Sequence, residues 1–187
     1  VLLNTSDIGI NQVINPEKEV ANEIVRLINT PWASEVDSFM NDKILLFEVK
    51  LNNENAEYFS RKLAELSKTN IIVISENGAK PSIIEVFNPD KGIKMGNHAF
   101  ILEKESNISK INALFEDKYE KIKTVMVTGG GVTGSDLLTL LKESGIKIKL
   151  IEKDMNICTA LSRKFENRLI ICGDATDLKL LLSENIE

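Results

Sequence analysis

The 187-residue sequence has one histidine, two cysteines, one tryptophan and four prolines, and each scarcity narrows what the chain can do. His98, the single histidine, falls in a strand-like run far in sequence from any ligand motif and reads as structural rather than catalytic. Cys158 and Cys172 lack C-x-x-C spacing and sit in an expected helix and an expected strand. That reads as buried thiols of a reducing compartment, not as a disulfide or metal site. Long apolar runs are missing too. Stretches such as Ile71-Ile72-Val73-Ile74 have strand length, far short of the ~20 residues that cross a bilayer. No basic, apolar, small-residue leader opens the sequence, so the expected compartment is the cytoplasm. Basic clusters with interleaved aromatics are also absent, and the formal charge is −5, which argues against nucleic acid as a partner.

What is present begins with composition. At 43% hydrophobic and 27% charged residues, the chain can bury a core, and its length permits one or two domains. The stretch that organises it is Thr124-Val125-Met126-Val127-Thr128 followed by Gly129-Gly130-Gly131-Val132-Thr133-Gly134. An apolar strand stops in glycines and turns amphipathic, as in the first turn of a βαβ unit. Gly129, Gly131 and Gly134 fit G-x-G-x-x-G: the first for unusual backbone angles, the second for clearance to a pyrophosphate, the third for close helix–strand packing. The exposed N–H groups and dipole of the following helix would hold the anion. The alternating run Ile146–Ile151 reads as a second strand and ends at Glu152, about where such a unit carries its ribose-binding acid. A carboxylate there repels a 2′-phosphate and favours NAD over NADP. A third strand, Arg168–Cys172, ends in Gly173-Asp174-Ala175-Thr176. Asp174 and Thr176 suit a cap for the last helix as well as a ligand contact.

The rest of the chain reads differently. Residues 1–15 contain the strand-like Ile10–Ile14 with nothing obvious to pair with, and no methionine begins the sequence; the tail of a preceding domain is expected. Asn15-Pro16-Glu17 is a helix entrance, and Thr30-Pro31 is its stop. From Glu35 to Glu103 come short strands with one inserted amphipathic helix at Ala56, Phe59, Leu63 and Leu66. Turn signals lie at Asn77-Gly78 and Asn88–Gly92. A helix over Ser106–Asp117 leads to a polar hinge at Lys118–Lys123. From Ile122 onward, three strand and three helix patterns alternate, which calls for a parallel sheet. They amount to the first half of a doubly wound fold, so truncation, or a partner chain over the open edge, is expected.

Taken together, the glycine turn, Leu150-Ile151-Glu152-Lys153-Asp154 and Gly173-Asp174-Ala175-Thr176-Asp177 resemble the N-terminal half of an RCK (KTN) domain, the family of peripheral regulators of Trk-type bacterial potassium uptake. Ile14–Ala21, the hairpin turns and Gly96-Asn97-His98 are similar to the companion C-terminal RCK subdomain. The resemblance implies an α/β fold in which residues 1–15 end one Rossmann unit and 16–104 form an α+β C-terminal subdomain. Residues 105–121 would be a linker helix, and 122–187 the first half of a second Rossmann parallel sheet.

It further implies a cytoplasmic regulatory subunit on the inner face of the membrane, assembled as a homo-oligomeric dimer or tetramer ring. That subunit would bind NAD(H), alternatively ATP or ADP, to gate a Trk-type potassium channel or transporter membrane subunit, without catalysing a reaction. Onto matching positions it places Gly129, Gly130, Gly131, Val132, Thr133 and Gly134 around the pyrophosphate, and Glu152 with Lys153 at the ribose. Gly173, Asp174, Ala175 and Thr176 then flank the adenine. Thr133 departs from the family pattern, where Asn or Arg is frequent, and offers no cation to the phosphates.

Two competing readings are an NAD-dependent oxidoreductase and a cyclic-dinucleotide-sensing module. Hydride transfer usually requires a positioned acid or base, and Tyr58 and Tyr119 have no motif context. The dinucleotide reading would use the first unit, where no residues stand out.

Overall fold

The computed structural model describes residues 14–66, 71–75, 84–86, 98–166 and 168–185. The expected turns at Asn77-Gly78 and Asn88–Gly92, and all but the last residue of the expected first strand, lie outside them. The chain divides into two compact units, Arg26–Ile122, and Lys123–Glu187 taken with Val1–Val25.

Helix α1 (Pro16–Asn29) starts as its sequence dictates. Asn15 Oδ1 accepts from the Lys18 backbone N–H at 3.1 Å, and Pro16 fills the first helical position, where a missing N–H costs nothing. It stops at Thr30, whose hydroxyl turns back to the Arg26 carbonyl at 2.7 Å ahead of Pro31.

In the first unit an antiparallel sheet has the order β1-β2-β5-β3-β4, with β1 at Glu35–Phe39, β2 at Ile44–Lys50, β3 at Ile71–Ser75, β4 at Ile84–Val86 and β5 at His98–Lys104. Leu45, Phe47 and Val49 alternate onto one face of β2, and Ala99 and Ile101 onto the same core from β5. Helix α2 (Ala56–Leu66) adds Phe59 and Leu63. The expected helix over 106–117 is shorter: a 3₁₀ turn at Glu105–Asn107 leads into α3 (Ile108–Phe115), which contributes Ile111 and Phe115.

Trp32 is the keystone of this core. Its ring lies 4.5 Å from that of Phe115 and 5.0 Å from that of Phe47. Its Nε1 donates to Asn112 Oδ1 at 2.8 Å, and Asn112 Nδ2 in turn donates to the Asn29 carbonyl at 2.8 Å, so the indole is buried without losing its polar partner. His98 Nδ1 pairs with the Glu48 carboxylate, which gives it the structural place expected of it. The β1–β2 turn was not legible in advance. Met40, Asn41 and Asp42 take φ of 56°, 56° and 63°, a left-handed run with no glycine, and Asp42 is tied to Arg26 at 2.7 Å.

In the second unit β6 (Thr124–Thr128), β7 (Lys147–Glu152) and β8 (Leu169–Cys172) form a parallel sheet in that order. Helix α4 (Val132–Leu140) buries Leu137 and Leu138. Helix α5 (Met155–Lys164) turns Cys158 and Leu161 inward and leaves Ile157 36% exposed. Helix α6 (Leu178–Ser183) is a short turn and a half with Leu178 and Leu182 exposed. Its cap is Asp177, whose side chain accepts from the Lys179 N–H at 2.9 Å, rather than Asp174 or Thr176. Thr176 instead closes a local turn on Asp174, whose Oδ1 accepts from the Thr176 N–H at 2.9 Å and its hydroxyl at 2.7 Å.

Candidate functional site

The glycine turn leaves the end of β6 and enters α4, and each glycine has a distinct physical reason. Gly129 has φ +96°, a conformation that L side chains rarely adopt, and its N–H donates to the Ile151 carbonyl at 2.8 Å. A Cβ on Gly134 would lie 2.1 Å from the Gly129 carbonyl oxygen, so the helix can approach the turn only with glycine there. A Cβ on Gly131 would meet nothing within 4 Å, which leaves open space in front of the helix start.

Gly130 has a role the motif did not foretell: its Cβ would lie 2.6 Å from Leu161 Cδ1 and 3.0 Å from Ile157 Cγ2 on α5. Gly173 is similarly confined, with a Cβ 2.6 Å from Leu180 Cδ2. The run of three consecutive glycines was the one signal for the first of these; nothing local signalled the second.

The three helices that follow β6, β7 and β8 differ at their starts. Asp154 caps α5, accepting from Asn156 and Ile157 N–H groups, and Asp177 caps α6. Helix α4 starts at Gly131 with no side-chain cap. The N–H groups of Val132, Thr133 and Gly134 therefore head a helix whose orphan donors no side chain satisfies. Beside an open Gly131, that end suits an anion.

Glu152 closes β7 directly across from the turn. Its Oε2 accepts from the Gly130 N–H at 2.6 Å and its Oε1 from the Asp154 N–H at 2.8 Å. These two donors, Asp154 first, hold its carboxyl below the usual carboxylate range. Lys153 reaches the other way and pairs with Asp174 Oδ2 at 3.0 Å. The Thr176 hydroxyl and N–H, then Lys153, hold the Asp174 carboxyl far below its ordinary value. Gly129–Gly134, Glu152, Lys153 and Gly173–Thr176 thus gather at the carboxyl ends of β6, β7 and β8, where open α/β sheets bind ligands. The Lys153–Asp174 pair, which draws the second and third strand ends together, was not foreseen, because its members lie on separate elements.

The thiols meet expectation only in part. Cys158 is buried but Cys172 is exposed, at the last position of β8, where side chains no longer lie under a helix. An open cleft of about 710 Å³ lies at the opposite end of the sheet, lined by Lys142, Lys147, Arg163, Phe165 and Arg168 among others; it is separate from the glycine turn. Arg168 there donates to the carbonyls of Ile146, Leu141 and Lys142 at 2.6, 2.8 and 2.8 Å, binding the end of α4 to the approach to β8.

Residues 125–187, comprising this site, match the TrkA-N domain model. The chain is similar to TrkA proteins over nearly its whole length. It is 30% identical over 96% of its length to the Trk system potassium uptake protein TrkA homolog of Archaeoglobus fulgidus, covering 40% of that protein. It is 31% identical over its whole length to the Trk system potassium uptake protein TrkA of Haemophilus influenzae, covering 41% of it. The chain thus spans about two fifths of the length of these curated relatives. The fold is that of RCK domains. The GsuK RCK domain superposes with a TM-score of 0.53 at 15% identity, over 95% of this chain and 37% of that one. The GsuK channel bound to NAD gives 0.52 at 14% identity, over 96% and 31%. The TrkA-N segment therefore begins at the strand that feeds the glycine turn and contains every residue expected to touch a nucleotide.

Proposed function

We propose that this chain is part of a regulatory subunit of a Trk-type potassium uptake system, and that its TrkA-N domain binds an adenine nucleotide, NAD(H) or alternatively ATP or ADP. The observation that carries the reading is the uncapped start of α4 behind an open Gly131, facing the Glu152 carboxylate. When bound, the nucleotide supplies a pyrophosphate and ribose hydroxyls. The N–H groups of Val132, Thr133 and Gly134 hold the phosphates, Glu152 accepts from the ribose, and Gly173–Thr176 flank the base.

The fit is physical at each position. Orphan donors at a helix start bind anions, and a carboxylate already ionised by two backbone donors needs no proton loss before accepting from a hydroxyl. Binding replaces or reinforces the Glu152–Gly130 contact, which ties β7 to the turn, so occupancy changes the stiffness of that end of the sheet. In the full-length protein we place residues 16–104 as a C-terminal RCK subdomain and 105–121 as the link to the second Rossmann unit. The assembly is a homo-oligomer on the cytoplasmic face of a membrane potassium channel or transporter, acting as a sensor rather than an enzyme. A sensor reading is supported by the groups at the turn, which are glycines, Val132, Ala175, two threonine hydroxyls, two acids and one lysine, while His98 sits in the sheet of the other unit engaged by Glu48.

Titration of the full-length protein with NADH and ATP, against the same protein carrying Gly131→Asp and Glu152→Ala, tests the site. Equal affinity in both removes it. Potassium flux through the membrane subunit, with and without this regulator and nucleotide, tests the gating.

A further inference from the structure

The two cysteines converge on the end of β7. Cys158, in the first turns of α5, is buried, and its Sγ lies 3.3 Å from the Glu152 carbonyl oxygen. Cys172, the last residue of β8 and the register partner of Glu152, is exposed, and its Sγ lies 3.9 Å from the Lys153 carbonyl oxygen. The Glu152 carbonyl oxygen that the Cys158 sulfur approaches also accepts, at 2.8 Å, from the N–H of Gly173, the residue after Cys172, so the two cysteines flank one carbonyl. Burial first, and then the hydrogen-bonding contact with the Cys172 thiol, push the Cys158 thiol up to about 11. Cys158 is therefore a protonated partner, and the exposed Cys172 is the thiol that meets solutes.

We propose that Cys158 and Cys172 form an oxidisable dithiol that closes to an intrachain disulfide beneath Glu152 and Lys153, making the ligand end of the TrkA-N domain a site of reversible redox modification. With a peroxide as oxidant, the Cys172 thiolate attacks one peroxide oxygen, the O–O bond breaks, and hydroxide leaves to give the sulfenic acid. The Cys158 sulfur then attacks the Cys172 sulfur, the S–O bond breaks, and the hydroxyl leaves with the Cys158 proton as water. Two thiols lose two electrons and two protons, and one peroxide becomes two waters. A dithiol reductant reverses the step by exchange.

The bond joins the start of α5 to the end of β8 and draws both sulfurs away from the Glu152 and Lys153 carbonyls. The backbone that presents the Glu152 carboxylate must then shift. The consequence for nucleotide, which rests on the binding proposed above, is an affinity several-fold weaker in the oxidised form.

The test uses the full-length protein, treated with equimolar hydrogen peroxide, quenched by alkylation, digested and analysed by mass spectrometry, beside Cys172→Ser and Cys158→Ala variants. The expected result is a Cys158–Cys172 linked peptide that dithiothreitol abolishes. In Cys158→Ala, a sulfenic acid on Cys172 should be trapped by dimedone, and in Cys172→Ser, Cys158 should remain alkylatable. Finding Cys158 alkylatable in the treated native protein, with Cys172 either intact or carried on to sulfinic acid, overturns the proposal. NADH titration of oxidised and reduced protein separates the two readings. A disulfide with unchanged affinity overturns the coupling, whereas a disulfide in a protein that binds no nucleotide in either state sinks the nucleotide site and leaves the dithiol standing.

Discussion

Glu152 Oε2 sits 2.6 Å from the backbone nitrogen of Gly130, so the acid proposed to accept from a ribose also braces the glycine turn. One carboxylate links the two halves of the site. Removing it as Glu152→Ala loses the hydroxyl acceptor and the brace together. Hydrogen bonds to charged groups are worth ~1.5–3 kcal/mol, so nucleotide affinity should fall by about 10- to 100-fold. Glu152→Gln keeps an acceptor oxygen without the charge and should fall less. Calorimetric titration with NADH ranks the three proteins, and an Ala variant as tight as the parent removes Glu152 from the site.

The glycines separate folding from binding. Gly134→Ala places a methyl 2.1 Å from the Gly129 carbonyl oxygen, a backbone atom that cannot step aside, and should destabilise the domain by roughly 1–3 kcal/mol as overpacking does. Gly131→Ala meets nothing within 4 Å and should leave thermal unfolding nearly unchanged. Gly131→Leu should do the same for stability while filling the space in front of α4 and abolishing phosphate binding. Paired melting curves and titrations read both effects. A Gly131→Leu protein that binds as tightly as the parent would show that the phosphates lie elsewhere.

Much of this was legible in the sequence because it depends on neighbours along the chain. Strand, glycine spacing and helix in Thr124–Leu141 are local, and so are the Asn15-Pro16 entrance and the strand that carries Glu152. What stayed hidden depends on contacts between distant elements. Arg168 reads as the first residue of a strand, yet it serves the end of α4. Cys172 reads as buried by its apolar neighbours, yet lies at the open end of β8. Ile157 and Cys158 differ by one step of a helix, about 100°, and only packing on β8 decides which turns inward. The left-handed run at Met40–Asp42 carries no glycine to announce it, and the α6 cap fell on Asp177 because three acid or hydroxyl candidates lie within four residues.

Acid should leave the site intact until well below neutrality. Glu152 and Asp174 both have folded pKa values lowered from their ordinary ones, the first by backbone donors and the second by Thr176 and Lys153. A carboxyl lowered on folding contributes stability that is fully present above its unfolded pKa, ~4, and is lost as pH falls through the folded value. The difference in melting temperature between the parent and Asp174→Asn should therefore be constant from about pH 8 to pH 5 and shrink below ~4. A difference that widens toward acid would reverse the sign and place the proton donors wrongly.

Arg168 tests whether the end remote from the glycine turn governs stability alone. Its guanidinium donates to three carbonyls, of Leu141, Lys142 and Ile146, which belong to the last turn of α4 and the loop into β7. Carbonyls at a helix end have no partners within the helix, and a guanidinium offers several donors in one plane, which a lysine ammonium does not. Arg168→Ala leaves these partly covered oxygens to water and should cost about 2 kcal/mol. Arg168→Lys should recover only part of that, since one ammonium cannot span three oxygens. The α4 start lies at the other end of its helix, so nucleotide affinity measured well below the melting temperature should stay within about twofold of the parent. Denaturant unfolding with a parallel NADH titration decides it: a large loss of affinity with little loss of stability would mean that Arg168 acts on the ligand site.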